Sequence, residues 1–81
     1  MSHRDDMHDL TLDLCGLLCP LPLLKAKKAM GEIPPLGTLE ILATDPGTVV
    51  DFEAFCEVTG HELVNSDETD GVFRFIIRRK A

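Results

Sequence analysis

Leu10, Leu12 and Leu14 alternate with Thr11 and Asp13, a period of two that predicts a half-buried strand. Gly16 then permits a turn, and from Pro20 the period lengthens. Leu23, Ala26 and Met30 recur at spacings of three and four, with Lys25 and Lys28 on the opposite side and Lys27 laying its stem along the apolar stripe. Gly31 is a stop signal for this helix. Pro34, Pro35 and Gly37 form a loop, after which Leu39, Ile41 and Ala43 alternate with Glu40 and Leu42 as a second strand.

Thr44-Asp45-Pro46-Gly47 ends that strand, with Asp45 read as a turn and cap residue. Thr48 followed by Asp51 resembles a capping box with a shorter acid, and it opens a second helix whose stripe is Phe52, Phe55 and Cys56. Gly60 ends this helix, His61 to Ser66 reads as a third strand, and Asp70-Gly71 marks a tight turn into Val72 to Arg79. In the last strand Phe73, Phe75 and Ile77 face one side while Val72, Arg74, Ile76 and Arg78 face the other. Two crossovers of the same hand place both helices on one face of the sheet. The expected fold is α+β, a βαβαββ two-layer α/β sandwich whose other sheet face meets solvent or a partner.

Residues 1–9 are polar and aperiodic and read as a disordered tail, leaving 10–81 as one domain. A chain of 81 residues buries roughly 60% of its unfolded surface and cannot enclose a large cavity, so its chemistry is expected to be shallow. Fourteen acidic against eight basic residues give a net charge of -6, which argues against direct nucleic-acid binding. The longest apolar run, Cys15 to Leu24, holds two prolines and falls well short of the ~20 residues that span a bilayer, so no membrane role is expected. The N-terminal residues lack a secretory pattern, and three cysteines cannot all pair within the chain. Both points favour the cytoplasm, where the cysteines stay as thiols.

The chemistry then centres on Cys19, in the string Cys19-Pro20-Leu21-Pro22 at the strand-to-helix junction. Read as the helix cap, Cys19 would sit at the positive end of the helix dipole, which shifts it modestly toward thiolate. Pro20 and Pro22 would then remove the N–H groups at the first and third helical positions, leaving a sulfur that is positioned but sparsely solvated by donors. Gly16, Pro20 and Pro22 are therefore expected to shape the site around a catalytic Cys19. Cys15 reads as a strand-end residue, with a resolving thiol or a metal ligand beside His61 or His8 as the alternative; its spacing from Cys19 is not Cys-x-x-Cys. Cys56 falls on the helical stripe and reads as core. Lys25, Lys28, Arg74, Arg78 and Arg79 are basic patches on an acidic chain, either ordinary surface or docking points that steer a partner. No Ser/His/Asp set, phosphate loop or carboxylate pair is present, and neither a metal nor a cofactor is expected.

From Leu12 to about Lys80 the chain resembles the TusA/SirA sulfur carriers. The likeness rests on Asp13, Gly16, Cys19-Pro20-Leu21-Pro22, Lys25, Asp45-Pro46, Asp51, Phe55-Cys56, His61-Glu62-Leu63 and Phe75-Ile76-Ile77-Arg78. This resemblance implies that Cys19 accepts sulfane sulfur as a persulfide from a donor such as a cysteine desulfurase or rhodanese. It implies delivery to an acceptor protein, DsrE-like or similar, in tRNA thiolation, molybdenum-cofactor synthesis or sulfur oxidation. It also implies a mixed four-stranded sheet in order 1-2-4-3 with the last strand antiparallel to the rest. One departure is Leu21, where the tRNA-thiolation branch often has an acidic residue. The alternative reading is a non-catalytic regulatory or interaction module, and a third is a dithiol redox protein pairing Cys15 with Cys19.

Overall fold

A computed structural model describes residues 8–81, so most of the expected tail lies outside the described residues. The elements run β1 (Leu10–Asp13), α1 (Leu21–Met30), β2 (Thr38–Ala43), α2 (Thr48–Thr59), β3 (Glu62–Thr69) and β4 (Val72–Arg78). The four strands form one sheet in the order β1-β2-β4-β3. β1 pairs parallel with β2, and β4 runs antiparallel to both β2 and β3. This is the α+β sandwich expected from the periodicities, with the strand order and orientation that the family resemblance implies.

The core follows from the two periods meeting. Leu39, Ile41 and Ala43 from β2, with Phe75 and Ile77 from β4, point into the same layer as Ala26, Ala29 and Met30 of α1 and Phe52 and Cys56 of α2. Phe52 and Phe75 are both fully buried, with ring centroids 4.8 Å apart in a tilted arrangement. Each fully buried side chain of that size contributes about 1.5–3 kcal/mol through burial, and such a ring pair adds about 0.5–1.5 kcal/mol.

β3 continues to Thr69, three residues past the expected end at Ser66. Asp67, Glu68 and Thr69 carry no apolar alternation, yet they pair with Arg74, Phe73 and Val72. The hairpin closes at Asp70 and Gly71, both in the left-handed region at φ 51° and 84°. Two positive φ values in a two-residue loop match the twist of the flanking strands, which is why an Asp-Gly pair stands there. At the other end, the Asp9 N–H donates to the Thr38 carbonyl at 3.0 Å and Asp9 Oδ2 accepts the Thr38 N–H at 2.9 Å, so backbone hydrogen bonding to β2 begins one residue before β1.

The sheet face away from the helices is mixed, with ion pairs and hydrogen bonds running across it. Arg74 Nε donates to Glu40 at 2.6 Å, Arg78 to Glu62 at 2.9 Å, and Thr11 Oγ1 to Glu40 at 3.1 Å. Ile76 lies on this face but is only 5% exposed. Among the described residues no helix is long and apolar enough to cross a membrane.

Candidate functional site

The loop that carries Cys19 is built between β1 and α1 and stitched to the β2–α2 turn. Leu14 ends the strand run with its side chain buried and its N–H on the Leu42 carbonyl at 2.8 Å. Gly16 turns the chain at φ 88°, a conformation costly for any residue with a Cβ, and donates its N–H to Thr44 Oγ1 at 2.8 Å. Leu17 to Cys19 then lead into the helix, with a cis peptide between Cys19 and Pro20.

Cys19 is not the cap of α1. The Leu24 N–H bonds to the Pro20 carbonyl at 3.1 Å, which makes Pro20 the N-cap and Leu21 the first helical residue; no side chain caps this end. Pro22 therefore occupies the second helical position, where a missing N–H is harmless, and its ring is fully buried. The Cys19 backbone is held from the β2–α2 turn instead. Asp45 is the bracket: Oδ2 accepts the Cys19 N–H at 2.6 Å and Oδ1 accepts the Gly47 N–H at 3.0 Å. These two bonds hold its carboxyl below the ordinary carboxylate range, the Cys19 bond being the larger cause. A Cβ on Gly47 would stand 3.8 Å from Cys19 Cβ, so the two segments lie in ordinary contact distance.

The expected capping box on α2 does not form. Gly47 is the N-cap, and Thr48 is the first helical residue with its buried hydroxyl turned back to the Asp45 carbonyl at 2.7 Å. Asp51, in the first turn, reaches out of the helix to accept the Cys19 Sγ–H, with Sγ and Oδ2 2.6 Å apart. This contact reverses the sign expected from the α1 dipole. The bond to Asp51 raises the Cys19 pKa above the ordinary thiol value, with partial desolvation and then the charges of Asp51 and Asp45 adding to it. The resting sulfur is a thiol on a carboxylate, not a thiolate on a helix end.

Around it the surface is apolar and open. Leu18 and Leu21 flank Cys19 in sequence at 72% and 46% exposed, and Val50 beside Asp51 is 67% exposed. From Asp51 a shallow groove of about 320 Å³ runs between the helices over Leu23, Lys27, Phe55 and Val58. A thiol in so open a setting is accessible to what another molecule presents to it.

A family model described as "Sulfurtransferase TusA" matches residues 10–79. The chain belongs to the TusA sulfurtransferase family. It is 48% identical over 71 residues to the sulfur carrier protein TusA of Allochromatium vinosum, covering 88% of this chain and 93% of that protein. It is 43% identical over 77 residues to the sulfur carrier protein TusA of Pseudomonas entomophila, covering 95% and 96%. The crystal structure of a SirA-like protein from Desulfitobacterium hafniense superposes with a TM-score of 0.78 at 27% identity, covering 89% of this chain and 99% of that one. In this TusA-family chain Gly16, Cys19 and Pro20 lie on the connection from β1 to α1, and Pro22 lies in the first turn of α1.

The other sequence candidates scatter. Lys25 and Lys28 are exposed on α1, whereas Arg74 and Arg78 lie on the uncovered sheet face in ion pairs with Glu40 and Glu62. Arg79 donates to the Ile33 carbonyl. All three cysteines are free thiols; Cys15 is exposed, its pKa raised by desolvation and then by Asp13, while burial pushes Cys56 up to about 11. His61 and His8, suggested with Cys15 as possible ligands, are instead engaged with the Lys80 N–H at 3.1 Å and Thr38 Oγ1 at 3.0 Å. Among the described residues no group of three or more His, Cys, Asp or Glu side chains is placed to hold a metal. Sequence reasoning missed Asp51 as a neighbour of the sulfur. Its signal was present as a family-matching acid, read there as a helix cap.

Proposed function

We propose that this chain is a protein persulfide carrier. Cys19 takes sulfane sulfur from a persulfide on a donor protein, a cysteine desulfurase or rhodanese, and passes it to a cysteine of an acceptor protein. The observation that carries this reading is the exposed Cys19 thiol, anchored through its backbone N–H to Asp45 and set among exposed Leu18, Leu21 and Val50. An apolar rim of this kind favours contact with another protein over capture of a small molecule. Lys25 and Lys28, on the flank of the helix that Cys19 precedes, steer that encounter; Arg78 and Arg79 serve a second contact. Persulfide exchange needs reduced thiols, which places the protein in the cytoplasm. The relay it feeds is tRNA thiolation, molybdenum-cofactor synthesis or sulfur oxidation.

The test is mass spectrometry of the intact protein and its peptides after incubation with a desulfurase and cysteine, or with a rhodanese and thiosulfate. The wild type is expected to gain one sulfur on Cys19, and Cys19→Ser none. Failure to gain sulfur from any donor would overturn the carrier reading in favour of an interaction module. Loss of two hydrogens across Cys15 and Cys19 would point to dithiol redox chemistry.

A further inference from the structure

Sulfur transfer at Cys19 poses a proton problem. The sulfur must lose a proton before it attacks, and it must leave again when the sulfur is handed on. Thiolates of higher pKa are better nucleophiles once formed but poorer leaving groups, so a thiol held in its protonated form needs help in both directions. Asp51 Oδ2 lies 2.6 Å from Sγ, within the range over which a positioned carboxylate exchanges a proton with a reacting atom. The donors and charges around it leave Asp51 to that task. Asp45, the other carboxylate close to the thiol, has both oxygens engaged by the backbone N–H groups of Cys19 and Gly47. Lys27 lines the same groove as Asp51. Thr48, the residue of the first turn expected to cap the helix, is bonded back to Asp45 and makes no claim on the Asp51 carboxylate.

We propose that Asp51 is a catalytic residue of sulfur transfer, the base that takes the Cys19 proton on loading and the acid that returns it on unloading. The inference rests on the persulfide-carrier reading. In loading, the Sγ–H proton passes to Asp51 as Sγ attacks the outer sulfur of the donor persulfide. The new bond is Cys19 Sγ–S and the broken one is the donor S–S bond. The donor leaves as a thiolate, which is protonated from solvent, while Asp51 returns its proton to solvent. In unloading, an acceptor thiolate attacks the outer sulfur of the Cys19 persulfide, the Sγ–S bond breaks, and Asp51, protonated again from solvent, delivers its proton to the departing Sγ. One sulfur moves in each step, with no net oxidation and no further reagent.

The same carboxylate therefore suppresses the free thiolate and promotes its reaction within a productive encounter. This yields opposite effects for two probes. In Asp51→Asn, alkylation of Cys19 by iodoacetamide at neutral pH is expected to rise, because the group that disfavours the thiolate is gone. Loading by glutathione persulfide, followed as gain of one sulfur on Cys19, is expected to fall about tenfold or more, below the 10²- to 10⁴-fold typical of general acid–base catalysis because extra thiolate offsets part of the loss. The loading defect should shrink as pH rises past the thiol pKa, where no base is required. Asp51→Glu, which keeps the carboxylate, should load faster than Asp51→Asn.

Loading of Asp51→Asn that rises in step with alkylation would overturn the proposal. So would a glutamate variant as slow as the asparagine variant. The wild type is the control that separates the two readings. If it does not load, the carrier reading fails; if it loads and Asp51→Asn loads equally well at neutral pH, only the role of Asp51 fails.

Discussion

Replacing Pro22 by Ala tests whether the second proline of the Cys19-Pro20-Leu21-Pro22 segment is a packing residue as well as a shaper of the site. Its ring is among the fully buried side chains. The substitution deletes two ring methylenes, worth about 0.8 kcal/mol each on burial, or about 1.6 kcal/mol together. It also returns backbone freedom to the unfolded chain, which adds about 0.4–1 kcal/mol to the loss. The sum is about 2–2.6 kcal/mol. The restored N–H at the second helical position has no intrahelical acceptor and offsets none of this. For a domain of 60–100 residues each kcal/mol lowers Tm by about 4–8 °C, so a fall of about 10–20 °C is expected. Urea unfolding followed by far-UV circular dichroism measures the free energy directly. A loss below about 0.5 kcal/mol with an unchanged m-value would refute the packing account and show that the loop closes over the missing atoms.

Two further outcomes follow from the thiols and from His61. Under native conditions Cys15 and Cys19 are expected to be alkylated while Cys56 is spared, because it is buried and held up to about 11; in urea all three should react, as peptide mapping would reveal. Alkylation of native Cys56 at the rate of Cys15 would contradict its place in the core. Protonation of His61 is disfavoured in the folded protein, first by desolvation and then by Lys80 and Arg79. The unfolded chain therefore takes up that proton first, so stability is full above the ordinary histidine value of 6.5 and is lost as pH falls through it toward the folded pKa. His61→Gln should flatten this part of the stability profile, read as urea midpoints between about pH 8 and about pH 5.5; an unaltered slope would assign it to other groups.

The elements were legible where a period or a turn signal marked them. Leu39, Ile41 and Ala43 all prove fully buried, and Asp70-Gly71 forms the tight turn read from its residue pair. The end of β3 was not legible, since Asp67, Glu68 and Thr69 join the sheet through backbone pairing with β4 and carry no hydrophobic pattern. At the site, the prominence of Cys19 was legible from its neighbours in sequence, but its electrostatics were not. Local reasoning sees the helix that follows Cys19. The group that sets its protonation comes from the next helix, 32 residues on, and is brought there by the packing of α2. The capping-box pattern pointed Asp51 at its own backbone, whereas in the fold its carboxylate accepts from Cys19 Sγ and the Thr48 hydroxyl turns back to Asp45.

The bonds that define this site join residues far apart in the chain: Gly16 to Thr44, Cys19 to Asp45 and Cys19 to Asp51, at separations of 28, 26 and 32. During synthesis Cys19 leaves the ribosome well before either aspartate. The nascent sulfur is then a cysteine of ordinary acidity with no carboxylate to hold its proton. Its distinctive chemistry is switched on by completion of the fold, so a damaged or partly unfolded copy loses it at once. Such a copy has lost the Asp45 and Asp51 contacts while its cysteine is still chemically intact.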